Sequence, residues 1–239
     1  MLSISSSEAK LLPPLEAPDV VELLIRRRDE ADAACADVEQ ATALLPRLVA
    51  VSTVALGAYA VVHGGMLSLA EDPLFLDALT ARGPLPTIGV VFLAYVAGLF
   101  GAQVASLPSA YFYALLTGIR THGWRVAVEA MRAQATSAVV LLGLLPVYLA
   151  VGLGFSLSSG GVGEGFRILA IDLLGYTLPF VAGLAGVITM GRAFSALVRE
   201  ARPEPGRRAM PLLLVFAWSV LFTALAPLGV WRVLSVLGG

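Results

Sequence analysis

The run Ala135–Ser156, ATSAVVLLGLLPVYLAVGLGFS, decides the fold class, because it holds twenty-two consecutive residues without one charged side chain. A helix rising about 1.5 Å per residue crosses the roughly 30 Å hydrocarbon core in about 20 residues, so this run is long enough to span a bilayer. Four further runs have the same character, at about 47–68, 86–107, 168–190 and 210–231. All five are continuously apolar with Gly and Pro inside, whereas a barrel strand alternates apolar and polar residues over about ten positions. The expected fold is therefore an all-α polytopic membrane bundle of five helices.

Composition agrees. The 239 residues are 58% apolar and 14% charged, against roughly 45–50% and about 25% for ordinary globular chains. The excess apolar surface needs lipid. A disordered chain is excluded by the hydrophobicity, and a disulfide scaffold by the single cysteine, Cys35. A net charge of −1 supplies no basic field for nucleic acid. Residues 1–15 lack a basic stretch followed by an apolar one, so no cleaved signal peptide is expected and the first span should direct insertion.

The arginines and the single flanking lysine alternate between the connections. Lys10, Arg26, Arg27, Arg28 and Arg47 precede the first span, Arg120, Arg125 and Arg132 follow the second, and Arg192, Arg199, Arg202, Arg207 and Arg208 follow the fourth. The other side holds only Arg82, Arg167 and Arg232. Because basic flanks stay preferentially in the cytoplasm, the expected topology has the amino terminus inside and the short 232–239 tail outside, in the inner (plasma) membrane.

Outside the spans, residues 1–46 read as a cytoplasmic segment. Within it Asp19–Leu44 is predicted as one amphipathic helix, with Val21, Leu24, Ile25, Cys35, Val38 and Leu45 near one stripe. The connection 108–134 is predicted as an interfacial helix: Pro108 and Ser109 read as a helix start, Tyr111, Tyr113 and Trp124 suit the headgroup level, and after a break at Gly118–Gly123 the stretch Trp124–Gln134 continues directly into the third span.

The run LPSAYFYALLTGIR at Leu107–Arg120, the five-span plan and a last span rich in Trp, Phe and Pro resemble a broad group of bacterial inner-membrane proteins that is loosely Yip1-like. GYTLPF at Gly175–Phe180 is similar to the Gly-Tyr-x-Leu-x-Pro-Phe of the eukaryotic members, one residue shorter and in the fourth span. The resemblance implies a cytoplasmic amino terminus and a membrane-organising or adaptor role without catalytic residues.

Little reactive chemistry is spelled out. The one acid inside a span is Asp172, a functional candidate by default, yet it stands about four residues from the start of its span, where a carboxylate also complements the helix dipole. Cys35, His63 and His122 are too scattered in the chain for a metal site, and no GxSxG or HExxH occurs. No cofactor is expected. Pro146 and Pro179 fall near the middle of the third and fourth spans and leave the carbonyls of Leu142 and Gly175 without a helical donor. Small residues four apart, including Gly98/Ala102, Ala97/Gly101, Ala150/Gly154 and Ala182/Gly186, allow close helix approach, and Gln103 can hydrogen-bond across such an interface. The function expected from these features is a non-enzymatic scaffold, adaptor or accessory subunit, with a protein partner or a second copy in the membrane besides the bilayer. The alternative is a small channel or secondary transporter lined by Pro146, Tyr148, Asp172, Tyr176 and Pro179.

Overall fold

The computed structural model describes residues 17–69, 83–116, 122–157, 164–201 and 210–238. Seven helices order them: α1 (Ala17–Ile25), α2 (Arg28–Ala36), α3 (Val38–Leu69), α4 (Pro84–Leu116), α5 (Gly123–Leu157), α6 (Glu164–Ala201) and α7 (Met210–Gly238). There are no strands among the described residues, and five of the helices, α3 to α7, are long and apolar enough to cross a membrane. Each contains one of the expected spans and extends past it. The thirty-three residues of α4 rise about 50 Å, more than a hydrocarbon core requires.

The amino-terminal region departs from a single helix. Asp37 is extended, with φ −89° and ψ 126°, and its carboxylate accepts the Gln40 N–H at 2.9 Å. An aspartate that caps the next helix competes with continuation of the previous one, so the chain breaks there and again at Arg27. Each break changes the register. Val38 and Ile25, placed on the apolar stripe by periodicity, are exposed, while Val20, Leu23, Leu24, Ala31, Ala34 and Cys35 are buried. The apolar side of α1 and α2 rests on the start of α3 and on Val128, Met131 and Ala135 of α5. A free amphipathic helix is thus replaced by a short helical pair docked on its own bundle.

The interfacial segment differs in its first half and agrees in its second. Residues 108–116 continue α4 straight through Pro108, and 123–134 open α5; residues 117–121 lie outside the described residues. Tyr111 and Tyr113 are half-buried, in an apolar cluster with Val126, Phe194 and Trp218, and Trp124 is exposed. One side of these helix ends packs in that cluster, while Phe112, Leu115, Leu116 and Trp124 stay exposed.

Pairings along the bundle give its layout. Gly57 meets Phe92 and Gly64 meets Ile88, so α4 runs antiparallel to α3. Leu48 shares a cluster with Val128, and Gly152 meets Met66, so α5 runs parallel to α3. Gly186 of α6 sits on Ala133 and Ser137 of α5, and Gly98 of α4 on Gly229 and Val230 of α7. A Cβ at Gly98 would lie 2.7 Å from the Val230 nitrogen, a backbone approach that only glycine permits. In space the order is α7, α4, α3, α5, α6. The two helices at the ends of that row, α6 and α7, meet far less than the neighbouring pairs. The ring closes imperfectly at this seam.

Candidate functional site

Two connected features occupy the interior. The first is an aromatic cluster around His63, which is fully buried. Tyr59 and His63 stand one turn apart on α3, so their rings share a face and stack at 6.0 Å. Tyr95 of α4, Tyr148 of α5 and Tyr176 of α6 complete the cage, with ring centroids 5.8, 5.8 and 5.2 Å from the imidazole. His63 Nδ1 and the Tyr148 hydroxyl share a hydrogen bond of 2.8 Å. His63 Nε2 is buried without a partner.

The cage is built on a missing backbone hydrogen bond in α6. Pro179 has no N–H, so the Gly175 carbonyl one turn earlier has no helical donor. In an apolar interior an unsatisfied carbonyl costs several kcal/mol. Two phenols meet it instead: Tyr59 donates its hydroxyl to the Gly175 oxygen at 2.6 Å and Tyr95 donates at 3.2 Å. The absence of a side chain at Gly175 is equally necessary, since a Cβ there would lie 2.1 Å from His63 Cε1.

The second feature is a cavity of about 760 Å³ between α4, α5, α6 and α7, at the seam where the ring closes imperfectly. Tyr95 and Tyr176 belong to both features. Its walls are largely apolar, and along α7 they run from Trp218 to Ser235, about 25 Å at helical rise. Among the described residues, none that lines it is charged. That volume lies within the roughly 300–1,000 Å³ of small-molecule sites.

The residues picked out from the sequence divide clearly. Tyr148, Tyr176 and Pro179 converge: the first two surround His63, and Pro179 lines the cavity beside Tyr176. Pro146 is exposed, because two residues from buried Tyr148 is about 200° around a helix; it faces away and cannot line the same route. The backbone of Asp172 belongs to α6, and its side chain lies outside the described residues. Gly98 and Gly186 make backbone-close approaches, and Ala102 is buried. By contrast Gly101 and Gly154 face open space.

Tyr59 and Tyr95 belong to no motif in the sequence, and His63 stands out there only as an isolated candidate metal ligand. The pairing of Tyr59 with His63 at i,i+4 was a visible signal, whereas Tyr95 carries none beyond its place in a span. No group of three or more His, Cys, Asp or Glu able to hold a metal occurs among the described residues. Comparison of the chain with protein families, curated proteins and solved structures finds no match.

Proposed function

We propose that this protein is a non-enzymatic membrane protein that admits an amphipathic, lipid-derived molecule from the bilayer through the seam between α6 and α7 and holds it in the interior cavity. The observation that carries this reading is the cavity itself: about 760 Å³, walled by apolar side chains and lying at the seam between α6 and α7, the weakest pairing of neighbouring helices around the ring. In a membrane the molecules that reach such a seam are those dissolved in the bilayer.

The apolar faces of the amino-terminal helices rest on α3 and α5, so an adaptor would dock its partner on the other cytoplasmic segment, residues 108–134, where Phe112, Leu115, Leu116 and Trp124 are exposed. A transport role is a second reading of the same site, favoured by Pro179, which removes one backbone hydrogen bond of α6 where that helix forms the cavity wall.

The test is to purify the full chain from native membranes in gentle detergent and identify lipids and proteins that remain bound. Gly183 lines the cavity, and a Cβ there meets nothing within 4 Å, so Gly183→Trp fills the space without striking a neighbour at its base. One lipid species enriched over the membrane average, and lost in Gly183→Trp, supports the reading. Bound lipid that mirrors the membrane in both proteins, with a stoichiometric protein partner, overturns it in favour of an adaptor.

A further inference from the structure

One end of the cavity has a chemistry that the apolar walls do not explain. Gln103, Gln134 and Trp218 all line it, and they are 2%, 7% and 5% exposed. Gln103 Nε2, both polar atoms of the Gln134 amide and Trp218 Nε1 are buried without hydrogen-bond partners. An unpaired buried polar group costs about 1–3 kcal/mol, and here three side chains from three helices carry that cost together. They also lie toward one end. Trp218 packs in one cluster with Ala133, next to Gln134, and with Ala110 of α4; Gln103 lies between that residue and Gly98 on the same helix. Relative to Tyr95, Gln103 is eight residues, about 12 Å, nearer that end.

The unpartnered atoms define a complement. Trp Nε1 only donates, while a Gln amide donates through nitrogen and accepts through oxygen, so three donor groups stand beside one acceptor. A matching head presents several acceptors and one hydroxyl. It is also uncharged: no cation lines the cavity among the described residues, and burying an anion without a counter-charge costs several kcal/mol.

We infer that Gln103, Gln134 and Trp218 form a head-group site for a neutral acylglycerol, with ester carbonyls taken by the two amide nitrogens and the indole N–H, and the free hydroxyl by the Gln134 carbonyl oxygen. The assignment rests on the cavity being a lipid site, as proposed above. Its acyl chains lie along the groove toward Ser235, where the lining of α7 continues for about 25 Å.

Binding is measured with the full chain in phosphatidylcholine nanodiscs, using labelled 1,2-dioleoylglycerol with unlabelled dioleoylglycerol or dioleoyl phosphatidic acid as competitor. Saturable binding of the glyceride is expected, with phosphatidic acid at least about tenfold weaker. Gln103→Leu, Gln134→Leu and Trp218→Phe should each weaken it about five- to tenfold, at unchanged or higher melting temperature because an unpaired polar atom has been removed. Phosphatidic acid competing as well as the glyceride overturns the neutral head group without recourse to any variant. Variants that bind like the wild type, while Gly183→Trp abolishes binding, overturn the head-group site and leave the cavity as a lipid site. Binding unchanged in Gly183→Trp removes the cavity reading and this assignment with it.

Discussion

Tyr59 donates its hydroxyl to the carbonyl of Gly175, 2.6 Å away and 116 residues further along the chain. That bond replaces the one Pro179 cannot make. It ties the first membrane helix to the unpaired carbonyl of the fourth, and it turns a local sequence defect into a tertiary contact.

Because Tyr95 donates to the same oxygen, the two phenols are redundant in part. Tyr59→Phe and Tyr95→Phe should each cost about 0.6 kcal/mol, the average for a hydrogen bond between membrane helices, and the double variant should cost more than their sum, since only it strands the carbonyl. Adding Pro179→Ala restores a backbone donor and should shrink the double-variant cost. Unfolding titrations in mixed micelles check this, and strict additivity in both backgrounds refutes it.

Glycines at the four packing positions should separate into two classes. Gly98→Ala and Gly186→Ala push a Cβ against backbone at 2.7 Å and 2.8 Å, and each should lose about 1–3 kcal/mol. At Gly101 and Gly154, where nothing lies within 4 Å, alanine should be neutral or up to about 1 kcal/mol stabilising through helix propensity. Equal effects at all four sites would show that propensity, not helix approach, governs them.

Arg132 latches the amino-terminal helices to α5. Its guanidinium donates to Asp32 of α2, to the Arg28 carbonyl at 3.4 Å and to Glu129 at 3.3 Å. Arg132 and Glu129 side chains are both 6% exposed, but Asp32 is 45% exposed. Arg132→Met strands a buried carboxylate and should cost about 3–5 kcal/mol; Asp32→Ala, at the wet end of the latch, should cost about 1 kcal/mol or less.

Cys35 reports the same docking through pH. Burial, reinforced by the negative charge of Glu129 and opposed by Arg132, pushes its thiol up to about 12, against an ordinary thiol near 8.5. Maleimide labelling of the folded protein should therefore climb about tenfold per pH unit from pH 7 to 10 with no plateau. In Arg132→Met it should be faster and level off near pH 9. The sign for stability follows: the unfolded chain releases this proton first, so docking of α2 should weaken as pH rises from about 9 toward 12. A wild-type plateau near pH 9 would mean an exposed thiol.

The inward amino terminus expected from the arginine distribution is best read on positions that reagents reach, because Cys35 is buried. In a Cys35→Ala background, Asp29→Cys, exposed on α2, should resist an impermeant maleimide in intact cells and react after lysis. Leu85→Cys, at a position 80% exposed on the opposite end of the bundle, should react in intact cells. The reverse pattern would invert the topology.

Five membrane-length helices were legible in the chain because hydrocarbon imposes one local demand, an uninterrupted apolar run with its backbone bonded internally, and each run either meets it or does not. The freed carbonyl of Gly175 was legible for the same reason, since proline removes a donor wherever it stands. What receives that carbonyl was not. Tyr59, Tyr95 and His63 are ordinary residues of apolar runs until α3, α4, α5 and α6 are set side by side, and lipid-facing periodicity is too weak to orient them: the apolar stripe that positions a soluble helix has no counterpart when both faces are apolar. The spatial order α7, α4, α3, α5, α6, the seam it leaves, and the presence of Gln103, Gln134 and Trp218 in the lining of one cavity are consequences of helix packing alone. The sequence by itself determined that this chain is a five-helix membrane bundle whose fourth span lacks one backbone donor; only the tertiary structure decided where the bundle stays open, because which helices meet depends on close approaches such as Gly98 to Val230 that no single helix specifies.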